Sequence, residues 1–394
     1  MNTEYSTDKA FVTGIYGSGK THFAEAYATR RGLKYVSFDG LFAYSNKANQ
    51  SRSILGGLPP SFVMDAIPID EDSTWNDFIE YESQNEIFII CIYCSSIEEW
   101  LGRLRRTRDP GISLYGLRGI GLLIKRLETL IAARNLIEVR DFVDERRGIA
   151  RHLARGLYLI RNRNRLVSQF DDDEHIRNYR NFYVNNLPIL QGFQHVVYRD
   201  SATDEYTSIE EMQERMDYKK LVLHHRLENM GEHYDGFYQD IEALQLVGYS
   251  ESYKTWESIK GLIDWKDKRV IDLGCHHGYF AFKVEDSGGS ARGLDRSGTV
   301  LETASLINEI RGGKVTFKEW KGGDEIPECD LILCLNVLHH FDNPEKAMAK
   351  MNSPAVVFEA NVEQRPLIEN HFTVVQEAES HRAGRFIVVC EKSI

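Results

Sequence analysis

The chain alternates short apolar runs with longer stretches in which apolar residues recur every three or four positions. In the first half Ala10–Thr13, Leu33–Phe38, Ser61–Asp65 and Glu86–Ser95 read as strands, and Thr21–Arg31 reads as the helix behind the first of them. Leu117–Arg147 and Arg151–Arg161 carry helical spacing. Phe193–Tyr198 reads as the last strand of this half, and Ser208–Lys220 as a polar helix joining it to the next. In the second half His224–Gln245 and Tyr253–Ile263 read as helices ahead of a new series of strands: Arg269–Leu273, Ala291–Leu294, Lys314–Phe317, Leu331–Leu335 and Ala355–Glu359. Two further runs, Phe372–Val375 and Phe386–Cys390, lack helices between them and read as a hairpin. Alternation of this kind predicts an α/β fold with two doubly wound sheets.

At 394 residues a chain of about two domains is expected, and the pattern divides it at 1–215 and 216–394. No apolar run approaches the ~20 residues of a membrane span. Met1-Asn2-Thr3-Glu4-Tyr5 has no signal-peptide pattern, and six cysteines in a chain of this length do not make a disulfide framework. Cys91 and Cys94 form a C-x-x-C inside an apolar run, where buried thiols are expected rather than a redox pair. A cytoplasmic protein is the expectation. The net charge of −11 hides an asymmetry, because eighteen basic residues face ten acidic ones between Arg103 and Arg180. A basic segment in an acidic chain suggests an anionic ligand held at one place.

Gly14-Ile15-Tyr16-Gly17-Ser18-Gly19-Lys20-Thr21 follows the first strand and opens into the first helix. This is G-x-x-x-x-G-K-[ST], the phosphate-binding loop in the setting it needs. Gly14, Gly17, Ser18 and Gly19 let backbone N–H groups wrap phosphates, with the helix N-terminus adding partial positive charge. Lys20 is expected at the β/γ-phosphates of ATP, and Thr21 at Mg²⁺. Asp65, ending the third strand, looks like the Walker B acid that organises the same ion. The segment resembles the small-molecule P-loop kinases, such as nucleoside, gluconate and shikimate kinases. That resemblance implies an acceptor-side acid at Asp39, which otherwise is a turn residue before Gly40. It also implies lid arginines among Arg103, Arg106 and Arg108, whose bland alternative is a solvated basic helix face. About 113–190 departs from a minimal kinase and reads as a basic helical insertion over the acceptor side.

A second glycine turn follows the strand Arg269–Leu273. Asp272-Leu273-Gly274-Cys275-x-x-Gly278-Tyr279 and the later Asn336-Val337-Leu338-His339-His340-Phe341 come in the order found in class I S-adenosylmethionine methyltransferases, which this half resembles. The resemblance implies a Rossmann-like domain with a helical lead-in over 216–268. It implies that the cofactor lies against Asp272, Gly274, Cys275, Gly278, Tyr279, Asn336 and Val337, and that Asp295 pairs with its ribose hydroxyls. His276 stands where glycine is common. His339 and His340 are candidates to orient an acceptor or take its proton. Tyr249, Tyr253 and Trp256 either wall an acceptor pocket or pack on the sheet.

A kinase joined to a methyltransferase suggests two modifications of one molecule: phosphorylation of a hydroxyl, then methylation of the new phosphate. The logic, and the methyltransferase half, resemble the bifunctional enzymes that cap bacterial O-antigen glycans, whose kinase half is of another type. The expected acceptor is an anionic or hydroxylated small molecule or glycan. The alternatives are an RNA or polynucleotide kinase–methyltransferase, since Trp256–Asp272 has some likeness to tRNA wobble-uridine methyltransferases, and a P-loop switch controlling the second half.

Overall fold

Each half of the chain is built on its own mixed sheet. The computed structural model describes residues 8–15, 18–37, 55–65, 72–108, 172–230, 237–322 and 324–392, of which 72–77, 105–108 and 172–174 are described by backbone alone. The halves are Met1–Tyr218 and Lys219–Ile394, here unit 1 and unit 2.

Unit 1 runs β1 (Lys9–Thr13), α1 (Lys20–Arg31), β2 (Lys34–Ser37), β3 (Phe62–Asp65), α2 (Asp72–Asn85), β4 (Phe88–Tyr93), α3 (Ile97–Arg108), α4 (Asp172–Leu190), β5 (Val196–Asp200), β6 (Tyr206–Thr207) and α5 (Ile209–Arg215). The sheet order is β2-β3-β1-β4-β5-β6, parallel except for the last pair. Successive residues of β1 serve opposite faces. Ala10 and Val12 pack with Ala24 and Ala28 of α1, whose small side chains let the helix lie close. Phe11 meets Phe62 and Phe78. Strands buried on both faces need continuous apolar runs, which is what the sequence carries. After β1 the chain lays β2 and β3 on one side and β4 and β5 on the other. The carboxyl end of β1 is therefore a switch point, where crevices form in such sheets.

Two expectations change here. The strand expected at Phe193–Tyr198 is shifted to Val196–Asp200: Glu82 accepts the backbone N–H groups of Gln194 and His195, so that only the His195 carbonyl, which accepts from Ile89 N at 2.9 Å, joins the ladder ahead of Val196. It is not the last, since β6 pairs antiparallel beyond it. The end of the expected insertion, 172–190, is α4, and its Tyr179, Tyr183 and Leu187 are buried in unit 1 beside Trp100. The rest of that insertion, 113–171, lies outside the described residues.

Unit 2 follows with α6 (Tyr218–Glu228), α7 (Ser252–Ile259), β7 (Arg269–Leu273), α8 (Tyr279–Asp286), β8 (Ser290–Asp295), α9 (Gly298–Arg311), β9 (Thr316–Glu319), β10 (Leu331–Leu335), α10 (Pro344–Ala349), β11 (Ala355–Asn361), α11 (Arg365–Glu369), β12 (Phe372–Glu379) and β13 (Arg385–Lys392). Its order is β12-β13-β11-β10-β7-β8-β9, with β12 and β13 antiparallel. The helix expected over His224–Gln245 ends at Glu228. Residues 237–251 instead form a knot in which Ile241 bridges Leu246 and the Asp240 carboxylate accepts the N–H groups of Gly248 and Tyr253. An aspartate that bonds nearby backbone competes with helix, which favours the non-helical course of 237–251. The helix expected over Tyr253–Ile263 is α7, ending four residues earlier.

All six cysteines are free and buried, and Cys94 lies just past the end of β4. Among the described residues no helix is long and apolar enough to cross a membrane.

Candidate active sites

In unit 1 the phosphate loop leaves β1 at the switch point. Gly14 has φ +147°, and a Cβ there would lie 2.2 Å from the Ile92 carbonyl oxygen of β4, so only glycine lets the loop pass. Ser18 is fully buried, and its Oγ finds no hydrogen-bond partner among the described residues. Gly19 at φ 92° caps α1, and Lys20 opens the helix with its side chain buried. The Thr21 hydroxyl donates to Asp65 Oδ2 at 2.8 Å. The Tyr35 hydroxyl donates to the same oxygen at 2.9 Å. Burial, then Asp65, pushes the Tyr35 pKa well above its ordinary value. A helix N-terminus, a buried lysine, an orphaned serine hydroxyl and a hydroxyl–carboxylate pair together suit a polyphosphate and a hard cation.

Arg103, one of the expected lid arginines, is anchored through its guanidinium. Its guanidinium donates to Ser201 Oγ at 2.8 Å, the Ser201 carbonyl at 2.6 Å and the Ser18 carbonyl at 3.3 Å, and it pairs with Glu99. It ties the phosphate loop to the turn after β5. Asp39 and Gly17 lie outside the described residues, as does the Arg106 side chain.

In unit 2 the carboxyl ends of β7, β8 and β10 bring the second set of motif residues together. Gly274 bends the chain after β7 at φ +68°, and its N–H and that of Cys275 reach the Leu294 carbonyl at 2.7 and 3.1 Å. His276 takes φ +51°, a left-handed conformation that glycine adopts freely and that His276 keeps because its N–H is held by Asp295 Oδ2 at 3.0 Å. Gly278 caps α8, whose first residue, Tyr279, is buried. Asp295 also accepts from Ser297 N at 3.1 Å through Oδ1, so its carboxylate is fixed at the tip of β8. Asp272 is buried, and burial raises its pKa to about 8, with the Ala281 backbone N–H pulling the other way and Asp295 adding to the rise. Cys275 is buried and its thiol is pushed well up by burial, so it packs rather than reacts. Asn336, at φ +58° after β10, is held through its N–H by the Glu359 carbonyl at 2.8 Å.

Residues 271–354 match the family model described as "Methyltransferase domain". Unit 2 contains a methyltransferase domain. Over part of its length the chain is similar to the tRNA U34 carboxymethyltransferase of Campylobacter fetus subsp. fetus (strain 82-40), with 33% identity over 108 residues, 26% of this chain and 38% of that protein. It is similar to the protein of the same name from Nautilia profundicola, with 33% identity over 98 residues, 24% of this chain and 32% of that one. The chain thus spans 38% of the length of the first of these relatives. Among solved structures it is similar to PH0226 from Pyrococcus horikoshii OT3 (17% identity, TM-score 0.35, 42% of this chain and 100% of that one). It is similar also to WbdD in co-crystals with the kinase inhibitor LY294002 (17% identity, TM-score 0.34, 43% and 47%).

In unit 2 a cationic pair, Arg382 and Arg385, stands in the hairpin turn that opens β13. Strand β13 runs antiparallel, so its first residue, Arg385, pairs with Asn361 at the edge where β7, β10 and β11 end. Arg385 Nη1 is buried without a hydrogen-bond partner among the described residues. Burial, then Arg382, pulls the Arg385 guanidinium below its ordinary pKa, against Glu359 and Tyr238. Arg382 donates to the Ser250 carbonyl at 2.8 Å and to the Tyr238 hydroxyl at 3.5 Å. Tyr238 accepts from Asn336 Nδ2 at 2.6 Å and packs on the His276 and Tyr249 rings. His339 and His340 sit on a 3₁₀ turn with rings 4.0 Å apart. Partial burial lowers both their pKa values, assisted by His340 and Arg385 for the first and by Arg296 and Arg385 for the second. Trp256 packs on Trp265 in the core, while Tyr249 and Tyr253 stay 65% and 42% exposed.

Tyr35, Tyr238, Arg382 and Arg385 carry no motif. A signal existed for the arginines: a hairpin turn that follows an antiparallel return to a parallel sheet lies at the edge where the parallel strands end, and His381-Arg382-Ala383-Gly384-Arg385 is such a turn.

Proposed function

We propose that the chain is a kinase–methyltransferase, in which unit 1 transfers a phosphoryl group from ATP and unit 2 a methyl group from S-adenosylmethionine. The kinase half rests on one observation above others: the buried Lys20 beside the orphaned Ser18 hydroxyl, with the Thr21–Asp65 pair next to it. Ser18, Gly19, Lys20 and the start of α1 hold the phosphates, while Thr21 and Asp65 hold Mg²⁺. In unit 2 Gly274 and Cys275 would hold the methionine part of the methyl donor, and Asp295 its ribose hydroxyls. Bound ATP–Mg²⁺ supplies the phosphoryl group, and bound S-adenosylmethionine an electrophilic methyl. The protein's part in both steps is alignment and exclusion of water. His339 and His340, held neutral at pH 7, are placed to accept a proton from a hydroxyl or N–H acceptor. An ionised phosphate needs no such base.

RNA is the acceptor with the most support. The relatives in sequence are named as tRNA U34 carboxymethyltransferases, whose named substrate is an RNA. The exposed Tyr249 and Tyr253, with the Arg382 guanidinium 5.9 Å from the Tyr238 ring centre, suit an unstacked base and its phosphate. A second reading, a glycan or small molecule methylated on a newly added phosphate, is favoured by the buried, unpartnered Arg385 Nη1 beside Arg382. The experiment incubates the protein with ATP–Mg²⁺, methyl-labelled S-adenosylmethionine and either total RNA or a glycan extract. Ribonuclease-sensitive label is expected. Label confined to the glycan extract overturns the first acceptor in favour of the second, and no label in either overturns both.

A further inference from the structure

Asp65 at the tip of β3 is gripped from two sides. Thr21, in the first turn of α1, donates to Oδ2 at 2.8 Å, and Tyr35 donates to that same atom at 2.9 Å. The pairing of a loop hydroxyl with the acid after β3 belongs to the site already described. The tyrosine does not. It comes from β2, which lies on the far side of β3 from β1.

The register explains how it reaches. β2 and β3 run parallel with Tyr35 opposite Val63 and Ser37 opposite Asp65. Tyr35 therefore starts two residues short of Asp65, about 6.6 Å along the strand. A tyrosine leaning along its strand spans that distance, whereas serine, threonine or aspartate at the same place does not. A carboxylate oxygen has two lone-pair directions, and two hydroxyl donors on Oδ2 fill them and fix the plane of the group.

We infer that Tyr35 is the positioning residue for the divalent cation of unit 1: by holding Asp65 Oδ2 it sets how tightly Thr21 and Asp65 take the ion. Partners one shell out from a metal orient the groups that face it, and losing one typically costs 10–100-fold in affinity. The inference rests on the nucleotide reading of unit 1.

The test uses the full chain and its Tyr35→Phe variant, which keeps the ring. A fluorescent N-methylanthraniloyl ATP reports nucleotide binding while Mg²⁺ is titrated. In Tyr35→Phe the Mg²⁺ concentration at half-saturation is expected to rise about tenfold. Binding of the same nucleotide in EDTA stays unchanged, whereas a general packing role for the hydroxyl would weaken binding with and without the ion. In an Asp65→Ala background the Tyr35→Phe change has no further effect, because the two act as one unit. An unchanged Mg²⁺ midpoint, with wild-type binding that does depend on Mg²⁺, overturns the role of Tyr35 and leaves the nucleotide site standing. Absence of Mg²⁺-dependent binding in the wild type overturns both together.

Discussion

Gly274 faces Val337 so closely that a Cβ on the glycine would lie 2.3 Å from Val337 Cγ2. The contact locks the turn after β7 to the turn after β10. Val337 is short and stiff, so it has no rotamer that clears the space, and φ +68° is itself unfavourable for alanine. Gly274→Ala is expected to destabilise unit 2 by about 2–4 kcal/mol and to abolish S-adenosylhomocysteine binding. Adding Val337→Ala should restore only part of the lost stability, read by chemical denaturation, because residue 337 keeps its Cβ 2.9 Å away and the positive φ at 274 persists. If the second change restores nothing, the clash is not the cause.

Lys20→Ala is expected to remove ATP binding and phosphoryl transfer while S-adenosylhomocysteine still binds with wild-type affinity in calorimetry. If phosphorylation precedes methylation, the same variant leaves the acceptor wholly unmodified. Methylated, unphosphorylated product from Lys20→Ala would place the methyl group on carbon, nitrogen or a free hydroxyl, and His339 or His340 would then be needed as base.

Asp272 makes the ligand-free stability fall with rising pH. Its folded pKa is raised to about 8 from 3.8, so between those values the native carboxyl keeps a proton that the unfolded chain has lost. Each pH unit in that window removes about 1.4 kcal/mol of stability. Below it both states are protonated, and above it both are ionised. Asp272→Asn is expected to flatten the profile, so that between pH 5 and 8 it loses about 3–4 kcal/mol less than the wild type. Urea midpoints at the two pH values decide it, and parallel profiles would exclude a neutral Asp272.

The two glycine turns after β1 and β7 were legible in the sequence because their signal is local: glycines, a lysine and an acid within a few residues of a strand end. Partners that meet across long stretches of chain were not. Arg103 was a candidate lid arginine or part of a solvated helix face, and nothing near it in sequence announced that its guanidinium binds Ser201, 98 positions away. Tyr238 looked like helix and instead reaches Asn336, also 98 positions away. Asp240 takes the N–H groups of Gly248 and Tyr253 in place of helix over 237–251, a choice no local periodicity announces. Conversely, Trp256 is core while Tyr249 and Tyr253 are exposed, and aromatic composition alone does not separate those fates.

Asp295→Ala is expected to weaken S-adenosylhomocysteine binding by about 10–100-fold, the loss of hydrogen bonds from a charged group. It should also cost some stability, because its two oxygens hold His276 N and Ser297 N. Calorimetry of Asp295→Asn separates the two, since the amide oxygen can keep one of those bonds. Unaltered affinity in both variants would remove the ribose role.

Arg385→Ala is expected to raise the acceptor KM at least tenfold while the affinity for S-adenosylhomocysteine changes less than threefold, estimates based on the loss of a charged hydrogen bond. Arg385→Lys should recover little, because a point charge does not replace the guanidinium fork. A fall in S-adenosylhomocysteine affinity equal to the rise in KM would move Arg385 from the acceptor to the donor.

With every thiol buried, two in unit 1 and four in unit 2, the folded protein is silent toward alkylating reagents. Each cysteine becomes reactive only when the segment around it opens. Pulsed alkylation followed by peptide mapping therefore times the opening of the halves separately, Cys91 and Cys94 for one and Cys275, Cys329, Cys334 and Cys390 for the other, with no label introduced. A nucleotide that slows alkylation of the first pair and a methyl donor that slows the second set would each be located by the chain's own sulfur atoms.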